Sequence, residues 1–131
     1  MSLTHGPGET FRPTILLVED DAGVRRSLQL LLRAQGYEVK AYFDGQPLLS
    51  DERSMDAACL IADYRLPDAN GLAILSMLRE RGWERPAILI TAFPSSDLEG
   101  KAHAAGFDLV LEKPLRPQVL VSLVERLVPL A

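Results

Sequence analysis

The feature that most constrains the fold of this chain is a series of five short apolar runs that alternate with segments of helical periodicity. None of the runs alternates strictly between apolar and polar residues, so both faces of the corresponding strands are expected to be buried. The sequence therefore predicts an α/β fold, a parallel sheet covered by helices on both faces. The runs occupy residues 14–18, 37–43, 59–62, 87–91 and 109–111; helices are predicted over 22–35, 45–49, 72–81, 95–105 and 117–128, and a polar loop over 50–55.

Several boundaries of these elements can be read locally. Asp20 or Asp21 is placed to cap the first helix, where a carboxylate also favours the positive helix end, and Gly36 is placed to end that helix. Asn70-Gly71 is a strong turn signal between the third run and the helix that follows it.

Four of the five runs end at polar or charged residues. Right-handed crossovers place the carboxyl ends of all parallel strands at one edge of the sheet, and ligands of open α/β sheets bind at that edge. We therefore expect the side chains at these ends to converge on one site. They are Glu19, Asp20, Asp63, Thr91 and Lys113.

These residue types suit the binding and transfer of a phosphoryl group. Three carboxylates in a crevice raise one another's pKa unless a cation joins them, and an all-oxygen site with few protein ligands favours Mg²⁺. The Lys113 ammonium and the Thr91 hydroxyl can then hold phosphoryl oxygens together with the metal. Because phosphoryl transfer needs little beyond positioning and charge neutralisation, Asp63 is the candidate nucleophile, which would form an acyl phosphate.

Composition and length narrow the class of protein further. With 131 residues the chain fits one domain, predicted over 14–131 after a loose tail over 1–13. The net charge of −4 argues against a nucleic-acid-binding surface. Cys59 is the only cysteine, which excludes an intrachain disulfide and a thiolate metal cluster. No signal peptide begins the chain and no apolar run reaches the roughly 18 residues of a membrane span, so a cytoplasmic location is expected if the chain is complete.

The ordered motifs of the chain resemble the response-regulator receiver (CheY-like) domains of two-component signalling. The resemblance covers about residues 14–128 and implies a flavodoxin-like, doubly wound sheet of five strands in the order 2-1-3-4-5 with five helices. It implies a signalling switch that catalyses only its own phosphorylation and dephosphorylation, and so not an enzyme in the usual sense. The motifs are Val18-Glu19-Asp20-Asp21, Asp63 with Leu66-Pro67 and Gly71, Ile90-Thr91-Ala92, and Lys113-Pro114.

The resemblance also implies roles for individual residues. Asp63 would accept a phosphoryl group from a sensor histidine kinase or a phosphotransfer protein, and Thr91 and Lys113 would contact the phosphoryl oxygens. Mg²⁺ would be held by Asp20 directly and by Glu19 through water. Asp63 and the backbone carbonyl of Arg65 would complete the metal ligands. The Lys113–Pro114 peptide bond is expected to be cis.

Three positions give this chain an individual character within the resemblance. Val110 stands where family members usually carry an aromatic residue that turns inward on activation, so the usual coupling to Thr91 is in question. Arg65 is expected to place a cation over the mouth of the site, where it attracts a donor or hinders a phosphatase. Phe93 is expected to shield the phosphoryl group from water. The alternative for Arg65 is an ordinary surface arginine.

The last predicted helix is more apolar than one buried stripe requires. We expect part of it to meet a partner, either a second copy in a homodimer or an output domain; the alternative is a wide core face. No direct contact of this domain with nucleic acid or membrane is expected.

Two other functions are compatible with parts of the pattern. A degenerate receiver that acts only as a protein-binding module is kept open by Val110. An aspartate-nucleophile phosphohydrolase of the haloacid-dehalogenase type is less favoured, because such enzymes carry a second acid two residues after the nucleophile and Arg65 stands there.

Overall fold

The computed structural model describes residues 12–130, which form five strands and five α-helices in alternation. The strands are β1 (Thr14–Val18), β2 (Glu38–Tyr42), β3 (Cys59–Asp63), β4 (Ala87–Thr91) and β5 (Leu109–Glu112). The helices are α1 (Ala22–Gln35), α2 (Gly45–Ser50), α3 (Gly71–Glu80), α4 (Ser96–Ala105) and α5 (Pro117–Leu127). The predicted elements are confirmed, with ends that differ by one or two residues.

All five strands are parallel and lie in the order β2-β1-β3-β4-β5. The strand order expected from the family resemblance is therefore confirmed. β1 and β3 lie next to each other at the centre, where the order reverses and the connections leave toward opposite sides. A crevice opens at such a switch point, outside the carboxyl ends of the strands.

Alternate strand residues supply two separate cores, one on each face of the sheet. One core packs against α2, α3 and α4, and its strand residues include Leu16, Leu60 and Leu89. The other packs against α1 and α5, and its strand residues include Leu17, Ile61, Ile88 and Ile90. Burial on both faces explains why the strands read as continuous apolar runs.

Local capping groups set the helix ends next to the sheet edge. Asp21, one of the two predicted candidates, caps α1 by accepting a hydrogen bond from the backbone N–H of Val24 at 3.0 Å. Asn70 caps α3 in the same way through Ala73. Gly36 ends α1 with a φ of 113°, a left-handed conformation that glycine adopts at little cost.

The prediction of a loop over residues 50–55 is wrong. A 3-10 helix spans Glu52–Asp56, and Asp51 caps it by accepting a hydrogen bond from the N–H of Arg53. The buried Ser54 hydroxyl donates to the carbonyl of Leu48 at 2.8 Å. Polar side chains that bond to nearby backbone stabilise such a turn, although its composition resembles that of a loop.

Helix α5 uses most of its apolar residues in the core. Leu120, Val121 and Val124 are buried, whereas Val119 keeps 45% of its surface exposed. A wide core face therefore explains much of the helix, and its contact with a partner stays a prediction. The predicted tail falls mostly on residues 1–11, outside the described part of the chain; Pro13 is buried, and its carbonyl accepts a hydrogen bond from Glu38. None of the helices described over 12–130 is long and apolar enough to cross a membrane.

Gly71 packs against the strand that carries Asp63, and this contact leads to a first prediction. A Cβ at Gly71 would lie 2.7 Å from the backbone oxygen of Asp63 and 2.8 Å from Leu89 Cδ1. Because backbone cannot move aside easily, Gly71→Ala is expected to lower the free energy of unfolding by about 1–3 kcal/mol. Urea unfolding followed by circular dichroism measures this loss.

Gly100 provides the matched control for this substitution. It lies inside α4, where an added Cβ meets no described atom within 4 Å. Gly100→Ala is therefore expected to raise the free energy of unfolding by about 0.5–1 kcal/mol. Equal effects of the two substitutions would contradict close packing at Gly71.

Cys59 provides a second prediction, on the stability contribution and the reactivity of its buried thiol. Burial raises the pKa of the Cys59 thiol from 9.0 to about 12. Because the folded-state pKa is the higher one, the neutral thiol favours folding below pH 9.0, and this contribution is lost as the pH rises through about 12. Alkylation of Cys59 by iodoacetamide near neutral pH is expected to proceed only as fast as the protein unfolds. Intact mass measured against time gives the rate of alkylation. Rapid labelling without urea would contradict this.

Candidate functional site

The five predicted site residues lie together at the carboxyl edge of the sheet. Asp63 and Thr91 are the last residues of β3 and β4, Glu19 and Asp20 follow β1, and Lys113 follows β5. Glu19 is 0% exposed, Thr91 2% and Asp63 6%, whereas Asp20 faces solvent. Buried carboxylates are rare unless they are paired, so this cluster needs a compensating charge.

Lys113 supplies part of that charge. Its Nζ lies 2.6 Å from Asp63 Oδ2, in a hydrogen bond, and 2.6 Å from Glu19 Oε1, in an ion pair. Burial by itself lowers the pKa of Lys113, but the interactions with Asp63 and Glu19 outweigh it and leave the pKa above the ordinary 10.5. The lysine is therefore a fixed positive charge that links β5 to β1 and β3.

Glu19 is held on both of its carboxylate oxygens. Oε1 contacts Lys113, and Oε2 accepts a hydrogen bond from the backbone N–H of Asp21 at 3.0 Å. Burial raises the pKa of Glu19 above 4.5, and the Lys113 and Asp21 contacts only partly offset that rise. Its buried charge is thus incompletely compensated by the protein.

The acidic cluster has the ligand chemistry of a divalent cation site. Carboxylate oxygens of Glu19, Asp20 and Asp63 all lie within 4.8 Å of one another. Among the described residues, Lys113 is the one ammonium group that contacts them, so the four side chains keep a net charge near −2. Hard oxygen donors with this charge fit Mg²⁺, which prefers one or two carboxylates and several waters.

The remaining side of the crevice is formed by loops after β3 and β4. The backbone N–H of Arg65 donates to Asp63 Oδ1 at 3.3 Å, and the Arg65 side chain is exposed. Thr91 Oγ1 accepts a hydrogen bond from the N–H of Phe93 at 3.2 Å, so its hydroxyl hydrogen stays available to another acceptor. Phe93 is 73% exposed.

Val110 is half-buried against the core. The Lys113–Pro114 peptide bond is cis, as expected.

Two further residues, Asp68 and Arg25, contact loops at the carboxyl edge of the sheet, and these contacts were not predicted from the sequence. Asp68, in the loop after β3, accepts hydrogen bonds from the N–H groups of Gly45 and Gln46, at 3.1 and 2.9 Å, and so caps α2 from another loop. Arg25, in the first turn of α1, donates to the backbone carbonyl of Glu19 at 2.9 Å. The one available signal for Arg25 was its charge, because a cation is unfavourable at a helix N-terminus.

Known proteins are similar to this chain in sequence and in fold. A family model for the response regulator receiver domain matches residues 15–125. The transcriptional regulatory protein TdiR of Thauera aromatica is 31% identical over 111 residues, which cover 85% of this chain and 49% of TdiR. The response regulator protein TmoT of Ectopseudomonas mendocina is 32% identical over 117 residues, which cover 89% of this chain and 53% of TmoT. The chain thus spans about half the length of these curated relatives.

A solved structure agrees on the fold. The chemotaxis protein CheY4 of Vibrio cholerae has a TM-score of 0.84 to this chain, with 23% identity, and the match covers 90% of this chain and 100% of CheY4. Fold and site together define a doubly wound α/β domain with an acidic crevice and a lysine at its carboxyl edge. The chain belongs to the response regulator receiver domain family of two-component signalling and is CheY-like. This membership argues against the haloacid-dehalogenase-type alternative.

Proposed function

We propose that this domain is a phosphorylation-dependent switch in which Asp63 accepts a phosphoryl group and the partner-binding surface then changes. The observation that carries the proposal is the contact of Lys113 Nζ with both Asp63 and Glu19, beside a third carboxylate at Asp20. This arrangement offers a nucleophile, a fixed cation and an oxygen-rich metal site within one crevice. These are the components that phosphoryl transfer requires.

In the proposed reaction, a carboxylate oxygen of Asp63 attacks the phosphorus atom of a phosphohistidine on the donor. A new P–O bond forms and the P–N bond breaks, and the electron pair of that bond stays on the departing imidazole, which takes up a proton. Lys113 transfers its contact from Asp63 Oδ2 to a phosphoryl oxygen, and the Thr91 hydroxyl donates to another. Hydrolysis of the acyl phosphate by water restores the Asp63 carboxylate and releases inorganic phosphate.

Mg²⁺ would be held by Asp20, Asp63 and the carbonyl of Arg65, with Glu19 acting through water. When bound, it supplies positive charge that lowers the repulsion between the carboxylates and the incoming phosphoryl group. Glu19 is positioned for the indirect role because both of its oxygens already have protein partners. Asp20 is positioned for the direct role because its side chain faces solvent at the open side of the cluster.

The donor is proposed to be a sensor histidine kinase or a phosphotransfer protein, in the cytoplasm. What supports a protein donor is an open, mainly apolar groove between α1 and the loop after β5, which includes Val24, Leu31 and Leu115 and reaches Lys113. A protein that carries the phosphohistidine would find apolar surface directly beside the acceptor. The signal would leave through a changed surface of this domain, and no contact with nucleic acid by the domain itself is proposed.

The phosphoryl group adds a charge close to −2 beside Thr91. A rotation of Thr91 toward this charge would break its hydrogen bond to the N–H of Phe93 and so release the start of the loop before α4. Because Val110 is small and stiff at χ1, we propose that this loop, rather than an aromatic side chain on β5, transmits the change. Phe93 and Arg65 are proposed to affect how long the phosphoryl group survives.

The test is incubation with acetyl phosphate and Mg²⁺, followed by intact mass measurement. We expect a gain of one phosphoryl group that disappears when the metal is chelated. No gain, together with no spectral change on addition of Mg²⁺ and beryllofluoride, would favour a degenerate receiver that acts as a binding module.

A further inference from the structure

We propose that Arg25 is a positioning residue for the acidic cluster: it holds the backbone that carries Glu19 and Asp20 so that their carboxylates face Asp63. This proposal deepens the proposed function and rests on it, because it concerns the affinity of the same metal site. The observation behind the proposal is a pair of hydrogen bonds from one guanidinium group. Arg25 Nη1 donates to the carbonyl of Glu19 at 2.9 Å and to that of Asp20 at 3.4 Å.

The helix end by itself disfavours a cation at Arg25, whereas the acidic loop beside it favours one. The residue lies in the first turn of α1, where the helix presents exposed N–H groups and a partial positive charge. A cation at that point is disfavoured unless other contacts compensate. Here the compensation comes from the acidic side chains of the loop between β1 and α1 and, more specifically, from two backbone carbonyls of that loop. The half-buried side chain thus folds back toward the sheet edge instead of extending into solvent.

The carbonyls that Arg25 contacts belong to the backbone from which both acidic side chains extend. Glu19 is tied to the sheet by its N–H, which donates to Tyr42, and its carbonyl is tied by Arg25. The Asp20 carboxylate, by contrast, accepts no hydrogen bond from residues 12–130, so the position of its backbone is the main protein constraint on where it lies. Fixing both peptide groups therefore fixes the points from which the two acidic side chains extend and narrows the range of separations between their carboxylates. Residues behind the ligands of a metal commonly change affinity 10–100-fold when removed.

The charge of Arg25 and its proposed positioning of the backbone predict opposite changes in Mg²⁺ affinity when the side chain is removed. The direction of the change therefore distinguishes the two effects. The Arg25 cation lies near the acidic loop and opposes the binding of another cation. If its charge were its main effect, removing it would strengthen Mg²⁺ binding. If it acts by positioning, removing it weakens Mg²⁺ binding despite the lost repulsion.

The experiment is calorimetric titration of Mg²⁺ into the wild type, Arg25→Ala, Arg25→Lys and Arg26→Ala. Arg26 is the matched control, because it is the next residue of α1, carries the same charge, is exposed and contacts no acid within the described part of the chain. We expect Arg25→Ala to raise the Kd about tenfold, Arg25→Lys to give an intermediate Kd, and Arg26→Ala to change it by less than about twofold. A Kd for Arg25→Ala that is unchanged or lower than that of the wild type overturns the proposal.

A measurement without metal separates this proposal from the proposed function. The N–H of Asp21 donates to Glu19 Oε2, so its hydrogen exchange by NMR reports whether the acidic loop keeps its conformation. We expect faster exchange at Asp21 in metal-free Arg25→Ala, with exchange in β4 unchanged, and no change in Arg26→Ala. If Asp21 is equally protected in all variants, Arg25 does not position the loop. A wild type that binds no Mg²⁺ would instead refute the metal site, while this exchange measurement still decides the role of Arg25.

Discussion

Replacing Asp63 with asparagine is expected to abolish phosphorylation of the domain by acetyl phosphate. The substitution removes the nucleophilic carboxylate oxygen and one of the three acids of the cluster, while it keeps the size of the side chain. An amide oxygen is a poor nucleophile at neutral pH. Because loss of a nucleophile commonly costs enzymes factors far above a thousand, the rate is expected to fall at least about a thousandfold. Intact mass measured against time gives both rates.

The matched control for this substitution is Asp56→Asn. Asp56 is an exposed carboxylate at the end of the 3-10 helix, so the variant has the same net charge as Asp63→Asn with an intact site. We expect Asp56→Asn to gain one phosphoryl group at the wild-type rate and to lose that gain when Mg²⁺ is chelated. If Asp63→Asn gained mass as fast as Asp56→Asn, the acceptor would be another residue.

Replacing Lys113 with alanine is expected to have two effects of opposite sign. Without metal, the substitution leaves Glu19 fully buried beside Asp63 with no ammonium partner. Breaking a buried ion pair costs about 3–5 kcal/mol, and because the Lys113 side chain is 22% exposed we expect a loss of about 2 kcal/mol in the free energy of unfolding. Mg²⁺ is expected to bind more tightly, because Lys113 occupies part of the same negative field.

Urea unfolding with and without Mg²⁺ measures both effects. At saturating Mg²⁺ the stability of Lys113→Ala is expected to approach that of the wild type, because a ligand of the folded state stabilises the variant that binds it more tightly. Phosphorylation by acetyl phosphate is nevertheless expected to be slower, since one contact to the phosphoryl oxygens is lost. A stability deficit that Mg²⁺ leaves unchanged would show that Lys113 has a packing role instead.

The control for Lys113 is Lys101→Ala. Lys101 forms an exposed pair with Asp97 at 3.2 Å on the surface of α4. Such pairs contribute little, so its removal is expected to change stability by less than about 0.5 kcal/mol, with or without Mg²⁺.

The pH dependence of the Lys113 contribution follows from its raised pKa. The contribution is fully present below pH 10.5 and is lost as the pH rises through the higher folded-state pKa.

The composition of the site could be predicted because each of its residues stands at the end of a recognisable strand. Asp63 and Thr91 each end a run of apolar residues, and these runs form two adjacent parallel strands. Once the strands are parallel, their carboxyl ends meet without further information. The contacts within the site were less predictable. The ion pair between Lys113 and Asp63 joins residues 50 positions apart, and nothing local to either residue specifies it.

The segment over residues 50–55 was predicted to be a loop, and its local composition could not indicate the 3-10 helix that forms there. Its polar composition is typical of a loop, but Ser54 is buried and donates to Leu48, and Asp51 caps the 3-10 helix. The same residue types that favour loops also bond to nearby backbone, so composition alone does not distinguish the two outcomes. The burial of Ser54 against α2 decides between them.

The sequence by itself determined the class of fold, the position of the site, the two candidate caps of α1 and the turn before α3, because periodicity, strand ends, capping and turns depend on residues close together in the chain. Only the tertiary structure decided which backbone groups the side chains of Asp68 and Arg25 contact. Asp68 reaches across 23 residues to cap α2, and Arg25 turns back from its helix to the carbonyls of Glu19 and Asp20. The physical reason is that long polar side chains choose among several backbone acceptors. Which acceptor lies within reach is settled only when the sheet and helices pack.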